Sequence, residues 1–244
     1  MKVLVIPDIH LKPQMFNAAS DIMDSYECEK AVFVGDLVDD WGCQENVELY
    51  EATLKSAIQF VKKYPNSLWC FGNHDLAYLW DQYDHPGYSE YAADTVASGF
   101  ERLIDAFDDP ENAAIVHRID NCIFSHAGLT KTFVESNLYN EMDDIDYVID
   151  TINTFGYDRM WESDSPIWVR PQLTYPAKGM YPDSFLQIVG HTPVEEPYEQ
   201  KDLGVLSVDT FSTDSRGGLI GNSKMCILDT VSKEYSSVVS DCWQ

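Results

Sequence analysis

Basic residues are scarce in this chain: 16 lysines and arginines stand against 41 aspartates and glutamates, and the net charge of the 244 residues is −25. A surface this acidic repels a long polyanion and has few cations with which to displace its counterions. We therefore expect no long nucleic acid among its partners, and a nuclease function is disfavoured.

Long apolar runs and paired cysteines are also missing. No run reaches the length of a membrane span, and the chain begins with a strand pattern that leaves no room for a signal peptide, so we expect a cytoplasmic protein without membrane contact. The six cysteines show no Cys-x-x-Cys spacing, which favours reduced core thiols over a zinc site. Repeats and flexible linkers are absent, which predicts a single domain over residues 1–244.

Five short polar motifs are the main feature of the chain, and most of them directly follow an apolar run that is typical of a strand. In sheets with helical crossovers, ligands bind at the carboxyl ends of the strands. Asp, His and Asn together suit two divalent cations, because a carboxylate can bridge metals, imidazole fixes geometry and an amide oxygen is a neutral donor. Two metals imply phosphoryl chemistry. The motifs are Asp8-Ile9-His10, Gly35-Asp36-Leu37-Val38-Asp39, Gly72-Asn73-His74-Asp75, Ser125-His126-Ala127-Gly128 and Gly190-His191-Thr192-Pro193.

The same patterns predict the elements that carry the motifs. Helices are expected at residues 15–26 and 47–61. Two stretches, 76–109 and 130–181, exceed what the core needs, and we expect both to cover the active site. The expected strands are 3–6, 31–34, 68–71, 122–124 and 186–189, with 205–208, 224–228 and 236–240 paired in a second sheet.

In this order the motifs resemble those of the calcineurin-like metallophosphoesterases, and within them the phosphoprotein phosphatase branch of bacterial and bacteriophage serine/threonine phosphatases and diadenosine tetraphosphatases. The branch carries Asp-x-His, Gly-Asp-x-Val-Asp-Arg-Gly, Gly-Asn-His-Glu, His-Gly-Gly or His-Ala, and Gly-His-Thr. The segment Pro166-Ile167-Trp168-Val169-Arg170-Pro171 looks like the one that ends in its phosphate-binding arginine. The resemblance spans nearly the whole chain and implies an α/β fold: two mixed β-sheets packed face to face as a sandwich flanked by helices.

The resemblance also implies a site for two divalent metal ions. A hydroxide shared by both is the expected nucleophile, attacking phosphorus in line with the leaving oxygen. Manganese is expected from the resemblance, and mixed oxygen and nitrogen ligands also admit iron or zinc. The implied ligands are Asp8 and His10 for the first ion, Asp36 as the bridge, and Asn73, His126 and His191 for the second.

Three further residues have implied roles in the reaction. His74 matches the family's catalytic histidine, which protonates the leaving alkoxide, and Asp39 would orient it and raise its pKa. The plainer interpretation of Asp39 is a helix or turn cap. Arg170 and Asn73 are the expected substrate contacts, with the Arg170 guanidinium clamping two phosphoryl oxygens. A surface salt bridge is the plainer interpretation of Arg170.

The chain departs from the family pattern at two informative positions. Asp40 stands where the family has a second phosphate-binding arginine, and Arg159, Arg216 or Lys178 are candidates to replace that charge. Leu11 stands where the family often has glycine, so its side chain would crowd the rim of the site or require an unusual backbone angle.

Several polar and aromatic residues match no motif. His85 and His117 are expected to be ordinary polar or partly buried residues. The acidic run 141–146 is interpreted as a solvated helix start or, if it faces the cleft, as a selector of basic substrates. One cluster could stack on a base or a phosphotyrosine, although packing into a small core is favoured. Its members are Tyr78, Trp80, Tyr83, His85, Tyr88 and Tyr91.

The predicted function is a metal-dependent phosphatase that hydrolyses phosphomonoesters, with small esters, nucleotides and phosphoproteins all open as substrates. One alternative is a phosphodiesterase or a dinucleotide polyphosphate hydrolase. Another is a non-catalytic metal-binding scaffold for a protein partner, since a fold does not determine a function. Broken ligands would indicate the scaffold, and all six implied ligands are present.

Overall fold

Two β-sheets form the centre of the fold, for which a computed structural model describes residues 1–138 and 142–239. The strands are β1 Lys2–Ile6, β2 Lys30–Phe33, β3 Leu68–Cys70, β4 Ala113–Ala114, β5 Val116–Ile119, β6 Cys122–Ser125, β7 Leu186–Val189, β8 Tyr198–Gln200, β9 Val205–Ser207, β10 Met225–Asp229 and β11 Tyr235–Val238. The helices are α1 Gln14–Tyr26, α2 Val47–Lys63, α3 Asn73–Leu79, α4 Ala93–Ile104, α5 Lys131–Leu138, α6 Ile145–Asn153, α7 Tyr157–Met160 and α8 Pro171–Thr174.

Both sheets are mixed. Within the described residues, the first has six strands in the order β11-β10-β1-β2-β3-β4, and its four strands from β1 to β4 run parallel. The second has five strands in the order β5-β6-β7-β9-β8, of which β6, β7 and β9 run parallel. The predicted fold, two mixed sheets with flanking helices, is confirmed.

The sheets pack face to face because successive side chains of each strand point to opposite faces. In β1, Val3 and Val5 lie in an apolar cluster between the sheets, together with Phe124 of β6 and Ile188 of β7. The alternate β1 residues pack with α1, α2 and α4 on the outer face of the first sheet. Helices α5 and α6 pack outside the second sheet around Ile123. Strands that are covered on both faces account for the continuous apolar runs in the sequence.

Two carboxy-terminal strands lie in a different sheet from the one we expected. Strand β9 pairs in the second sheet as predicted, but β10 lies antiparallel to β1, with Leu228 opposite Val3, and β11 continues the first sheet beyond it. The physical reason is that β1 needs a partner on its free side, and the apolar pattern of β10 fits the core from either sheet. Residue 240 of the predicted last strand lies outside the described residues.

Two further expectations concern the burial of the cysteine thiols and the presence of membrane-spanning helices. Cys70, Cys122 and Cys226 are buried in the cluster between the sheets, and Cys28 and Cys43 are partly buried. Cys242 lies outside the described residues. Across residues 1–138 and 142–239, none of the helices has the length and apolar character needed to cross a bilayer.

Candidate active site

The predicted polar motifs meet where the parallel strands of both sheets end. In the first sheet, Asp8 follows β1, Asp36 follows β2, and Asn73 begins α3 after β3. In the second, His126 follows β6 and His191 follows β7. These residues lie at and beneath the base of a cleft of about 330 Å³. We call the six implied metal ligands, these five and His10, the floor of the cleft.

Three donor atoms converge on Nε2 of the fully buried His126. Asn73 Oδ1 lies 2.9 Å from it, His191 Nδ1 lies 3.0 Å from it, and Asp36 Oδ2 lies 3.3 Å from it. The Nδ1 atom of His126 is 2.8 Å from the Val34 carbonyl oxygen and donates to it, which turns the Nε2 lone pair towards the other donors. A cation held among these atoms would satisfy all of them.

His10 and Asp8 complete the floor. His10 Nδ1 donates to the Asp39 carbonyl oxygen at 2.8 Å, and its Nε2 lies 3.7 Å from Asp36 Oδ2. Asp8 is fully buried, and its Oδ1 accepts a hydrogen bond from the His191 amide at 2.9 Å. Its Oδ2 has no hydrogen-bond partner within the described residues. A buried carboxylate oxygen in that condition is costly unless a cation compensates it.

The electrostatics of the floor also favour cations. Burial and the neighbouring carboxylate of Asp209 raise the pKa of Asp8. Burial alone would lower the pKa of His126, but the charges of Asp36 and Asp8 and the hydrogen bonds of its ring together outweigh burial and raise that pKa to about 9. Both shifts have the same cause, an excess of negative charge in a buried space. Donor atoms of His10 and of His126 each group with Asp36, so the residues present fit divalent ions that share this carboxylate.

Two glycines permit close approaches that a side chain would prevent. A Cβ atom on Gly72 would lie 2.2 Å from Asp36 Oδ1, so only glycine lets β3 end this close to the Asp36 carboxylate. Gly87 has a φ of +95°, and a Cβ there would lie 2.9 Å from Cε1 of His74. The first glycine belongs to a motif recognised in the sequence, whereas the second lies in an irregular loop.

His74 lies beside the floor, and one nitrogen of its ring is held by a hydrogen bond with Asp39. Its Nδ1 is 2.9 Å from Asp39 Oδ2, and its backbone amide donates to Asp36 Oδ1 at 3.0 Å. Burial alone would lower the pKa of His74, but the charge of Asp36 and the hydrogen bond to Asp39 outweigh burial and raise it. The ring lines the cleft, so Nε2 is the nitrogen available to a ligand.

Asp39 is held by two tyrosine hydroxyls. Tyr50 donates to Asp39 Oδ1 at 2.8 Å and Tyr78 donates to the same oxygen at 2.6 Å, which leaves Oδ2 for His74. Tyr78 in turn accepts a hydrogen bond from the backbone amide of Ser89. These bonds fix the carboxylate more firmly than a helix or turn cap would require. Neither tyrosine belongs to a motif that sequence reasoning assigned to the site.

Arg170 lies above the floor, on the wall of the cleft. Its Nη1 donates to the His191 carbonyl oxygen at 2.8 Å and to Thr192 Oγ1 at 3.2 Å, so it is not engaged in a surface salt bridge in the described structure. We call wall the residues that line the cleft above the floor. They include Asp40, Trp41, Gln44, His85, Trp168, Arg170 and Thr213.

Asp40, at the position where the resemblance implies a second arginine, is paired inside the protein. Lys12 Nζ lies 3.0 Å from Asp40 Oδ2 and also donates to the His10 carbonyl oxygen at 3.0 Å. Thr213 donates to the other carboxylate oxygen. Burial would raise the pKa of Asp40, but the charge of Lys12 and the hydrogen bonds from Lys12, Thr213 and the Trp41 amide together outweigh burial and lower it. Lys12 was missed by the sequence analysis, although it stands only two residues after the motif residue His10.

The three residues considered as replacements for the missing arginine lie elsewhere. Lys178 pairs with Glu135 at the surface, the guanidinium of Arg159 lies 4.3 Å from the Phe155 ring, and Arg216 is exposed in a turn. Among the residues that the structure describes, Arg170 is the only lysine or arginine that lines the cleft.

His85, which was expected to be an ordinary polar or partly buried residue, is buried and lies directly beside the floor. Its Nε2 lies 2.9 Å from Asn73 Nδ2, its ring centroid lies 4.4 Å from that of His74, and only 8% of its surface is exposed. Burial and the neighbouring His74 lower its pKa to about 4. No motif contains it, and a lone histidine in an irregular loop offers no signal from spacing. His117 lies away from the cleft and bonds the Trp69 carbonyl oxygen.

The other aromatic residues of stretch 76–109 mostly pack on one another. Tyr78 stacks on Tyr88 with ring centroids 4.3 Å apart, and Trp80 packs against Trp161. Tyr83 and Tyr91 are largely exposed. This arrangement supports the packing interpretation over a base-stacking platform.

Two remaining expectations have simple outcomes. Leu11 adopts a positive φ of +57°, and its side chain is buried in the core with α1, so it does not crowd the rim. In the acidic run, Asp144 caps α6 by accepting hydrogen bonds from the amides of Asp146 and Tyr147. Residue 141 lies outside the described residues, and residues 142–146 do not line the cleft.

Comparisons with known proteins identify the family. The calcineurin-like phosphoesterase model matches residues 1–219, so the chain belongs to that family, as predicted. Its members are metal-dependent phosphoester hydrolases, and this chain is therefore a hydrolase with a metal-binding site. No curated protein matches it.

Solved structures share the fold at low sequence identity. A cold-active protein-tyrosine phosphatase of a psychrophilic Shewanella is 15% identical, with a TM-score of 0.54 over 97% of this chain and 80% of that one. A metallophosphoesterase from Sphaerobacter thermophilus is 14% identical, with a TM-score of 0.50 over 98% and 89% of the two chains. At such identities the likeness shows the fold alone.

Proposed function

We propose that the protein is a dinuclear phosphatase that hydrolyses phosphomonoesters, with a phosphoprotein or a nucleotide as substrate. The observation that carries this proposal is the shared carboxylate: donor atoms of His10 and of His126 both group with Asp36. Next to this group, His74 is held by Asp39 with its free nitrogen towards the cleft. Paired cation sites beside a positioned imidazole suit phosphoryl transfer to water.

The floor residues would divide between two ions. Asp8, His10 and Asp36 would hold the first, and Asp36, Asn73, His126 and His191 the second. When bound, the ions would supply Lewis acidity and a nucleophile derived from water. We propose manganese, and the mixed oxygen and nitrogen donors also suit iron or zinc.

His74 and Arg170 would act on the substrate directly. With Nδ1 bonded to Asp39, His74 carries its transferable proton on Nε2 and gives it to the departing alkoxide oxygen. The raised pKa of His74 keeps that proton in place near neutral pH. Arg170 already bonds the His191 backbone, so its guanidinium is oriented to bind phosphoryl oxygens, where Asn73 would contribute a further contact.

The charge of the wall supports a substrate with a single phosphoryl group. Arg170 is the one lysine or arginine found in the cleft lining of the described residues, and Asp40 is already paired with Lys12. A dinucleotide polyphosphate would bring several negative charges to a wall with one available cation. The buried thiols Cys70, Cys122 and Cys226 are consistent with a reducing compartment, and we propose the cytoplasm.

Hydrolysis of p-nitrophenyl phosphate by the chelator-stripped protein, before and after addition of manganese, tests the proposal. We expect turnover only with the metal and much slower turnover of bis-p-nitrophenyl phosphate, because the second aryl group must fit a cleft with a single cationic clamp. Asp36→Asn is the control variant, because it removes the charge that both ion sites share.

Two results would contradict the proposal. Faster turnover of the diester than of the monoester would indicate a phosphodiesterase. Two bound ions with no turnover of monoesters, phosphopeptides or nucleotides would favour the non-catalytic scaffold.

A further inference from the structure

The amide of Asn73 has a defined orientation in the cleft. Its Oδ1 faces His126 Nε2 at 2.9 Å, within the group of atoms that includes His191 Nδ1 and Asp36 Oδ2. Its Nδ2 points the other way, towards His85 Nε2, at 2.9 Å. The two ends of an amide have nearly the same size and shape, so packing alone would hardly distinguish them. A cation, however, binds the oxygen and is repelled by the NH₂ group.

His85 supplies the chemical distinction. The Nδ2 atom of Asn73 can only donate, so the hydrogen bond requires His85 Nε2 to accept. If the amide were turned over, its oxygen would face that same lone pair, and two acceptors would lie about 3 Å apart in a buried space. The contact therefore penalises the orientation that would present NH₂ to the ion.

Neighbouring rings fix the position of His85 itself. Its ring lies 5.7 Å from Trp161 and 5.6 Å from Trp168, measured between centroids, and meets His74 nearly edge to face at 4.4 Å. Both tryptophans come from the stretch 130–181, whereas His85 itself lies in the stretch 76–109. An imidazole held among three rings cannot turn its Nε2 away from Asn73 without disturbing them.

We propose that His85 is a positioning residue that orients the Asn73 amide so that its oxygen, and not its nitrogen, faces the second metal ion. The inference rests on the proposed function, because it takes Asn73 as a ligand of that ion. Outer hydrogen-bond partners of metal ligands contribute about 10- to 100-fold to metal affinity. His85 should contribute on that scale to one ion only.

Calorimetric titration of manganese into the chelator-stripped protein, without substrate, tests this role. Glutamine at position 85 keeps an acceptor near the place of Nε2, whereas leucine removes it. We expect His85→Leu to weaken one of the two binding events about 10- to 100-fold and to leave the other unchanged, and His85→Gln to stay within about three-fold of the wild type. His117→Gln, at another buried histidine that lies away from the cleft, is the matched control and should bind both ions normally.

The outcomes separate this inference from the proposed function. Unchanged binding of both ions by His85→Leu would overturn the role of His85 and leave the phosphatase proposal standing. Equal weakening in His85→Gln and His85→Leu would show that the ring matters for packing and not as an acceptor, which also overturns it. No binding of manganese, iron or zinc by the wild type would overturn both proposals.

Discussion

The floor and the wall of the cleft treat charge in opposite ways. On the floor, Asp8 and Asp36 are buried without a lysine or arginine of the described structure beside them. On the wall, Asp40 is matched by Lys12, and Arg170 donates to backbone and hydroxyl oxygens. The floor therefore offers carboxylates that suit cations from outside the chain, whereas the acidic residue of the wall is paired within the chain. The difference separates residues that should govern metal content from residues that should govern substrate affinity.

His74 lies between the two regions and gives the sharpest test of that separation. We expect His74→Asn to lower kcat about 10²- to 10⁴-fold, because the leaving oxygen loses its proton donor. The content of bound metal should stay unchanged, since no implied ligand is altered. Steady-state kinetics with metal analysis of the same sample measures both quantities.

Asp36→Asn is the matched control for His74→Asn, because it should lose both turnover and bound metal. Equal loss of metal in the two variants would contradict the assignment of His74 to proton transfer and break the distinction between the regions.

Arg170 tests the wall. Truncation in Arg170→Ala should lower kcat/KM about 10- to 100-fold, since a hydrogen bond to a charged group contributes about 1.5–3 kcal/mol. Metal affinity should change little, provided that the His191 backbone keeps its place without the Arg170 hydrogen bond. Metal titration of the variant is the check, and a large loss of metal would mean that Arg170 acts mainly by supporting the floor.

The floor could be predicted from the sequence and much of the wall could not, for a physical reason. Each floor residue lies within a few positions of a strand end, so local pattern and parallel pairing suffice to bring it to the centre. The Lys12–Asp40 pair and the His85–Asn73 contact depend on how loops fold over that edge. The sheet of strand β10 could not be predicted either, because the apolar pattern of a strand does not specify which strand it pairs with.

Two histidines, one lining the cleft and one buried away from the cleft, have pKa values shifted in opposite directions. The pKa of His74 is raised by nearby carboxylates, whereas burial lowers the pKa of His117 to about 4. The unfolded chain binds a proton on His117 below about pH 6.5 and the folded protein does not, so this residue makes stability fall as pH falls from 6.5 towards 4. Between pH 7 and 5 the loss should be about 2 kcal/mol.

Denaturant unfolding at both pH values measures this effect as a difference between wild type and His117→Gln, which removes the titration. The variant should lose about 2 kcal/mol less on acidification. An equal loss in the two proteins would mean that burial does not keep His117 neutral.

The smallest expected effect concerns the internal charge pair of the wall. Lys12 and Asp40 are mostly buried, with side-chain exposures of 10% and 15%, so each needs the other more than a surface pair would. In a double-mutant cycle with Lys12→Met and Asp40→Asn, we expect a coupling of about 1 kcal/mol in the free energy of unfolding. Strict additivity would show that the pair is incidental.

Asp40→Arg, which introduces the arginine that the family resemblance implies at this position, should destabilise the protein more than Asp40→Asn, because it places a second cation beside Lys12. A stable Asp40→Arg variant with higher phosphate affinity would instead mean that the wall can accept a second clamp without first removing Lys12.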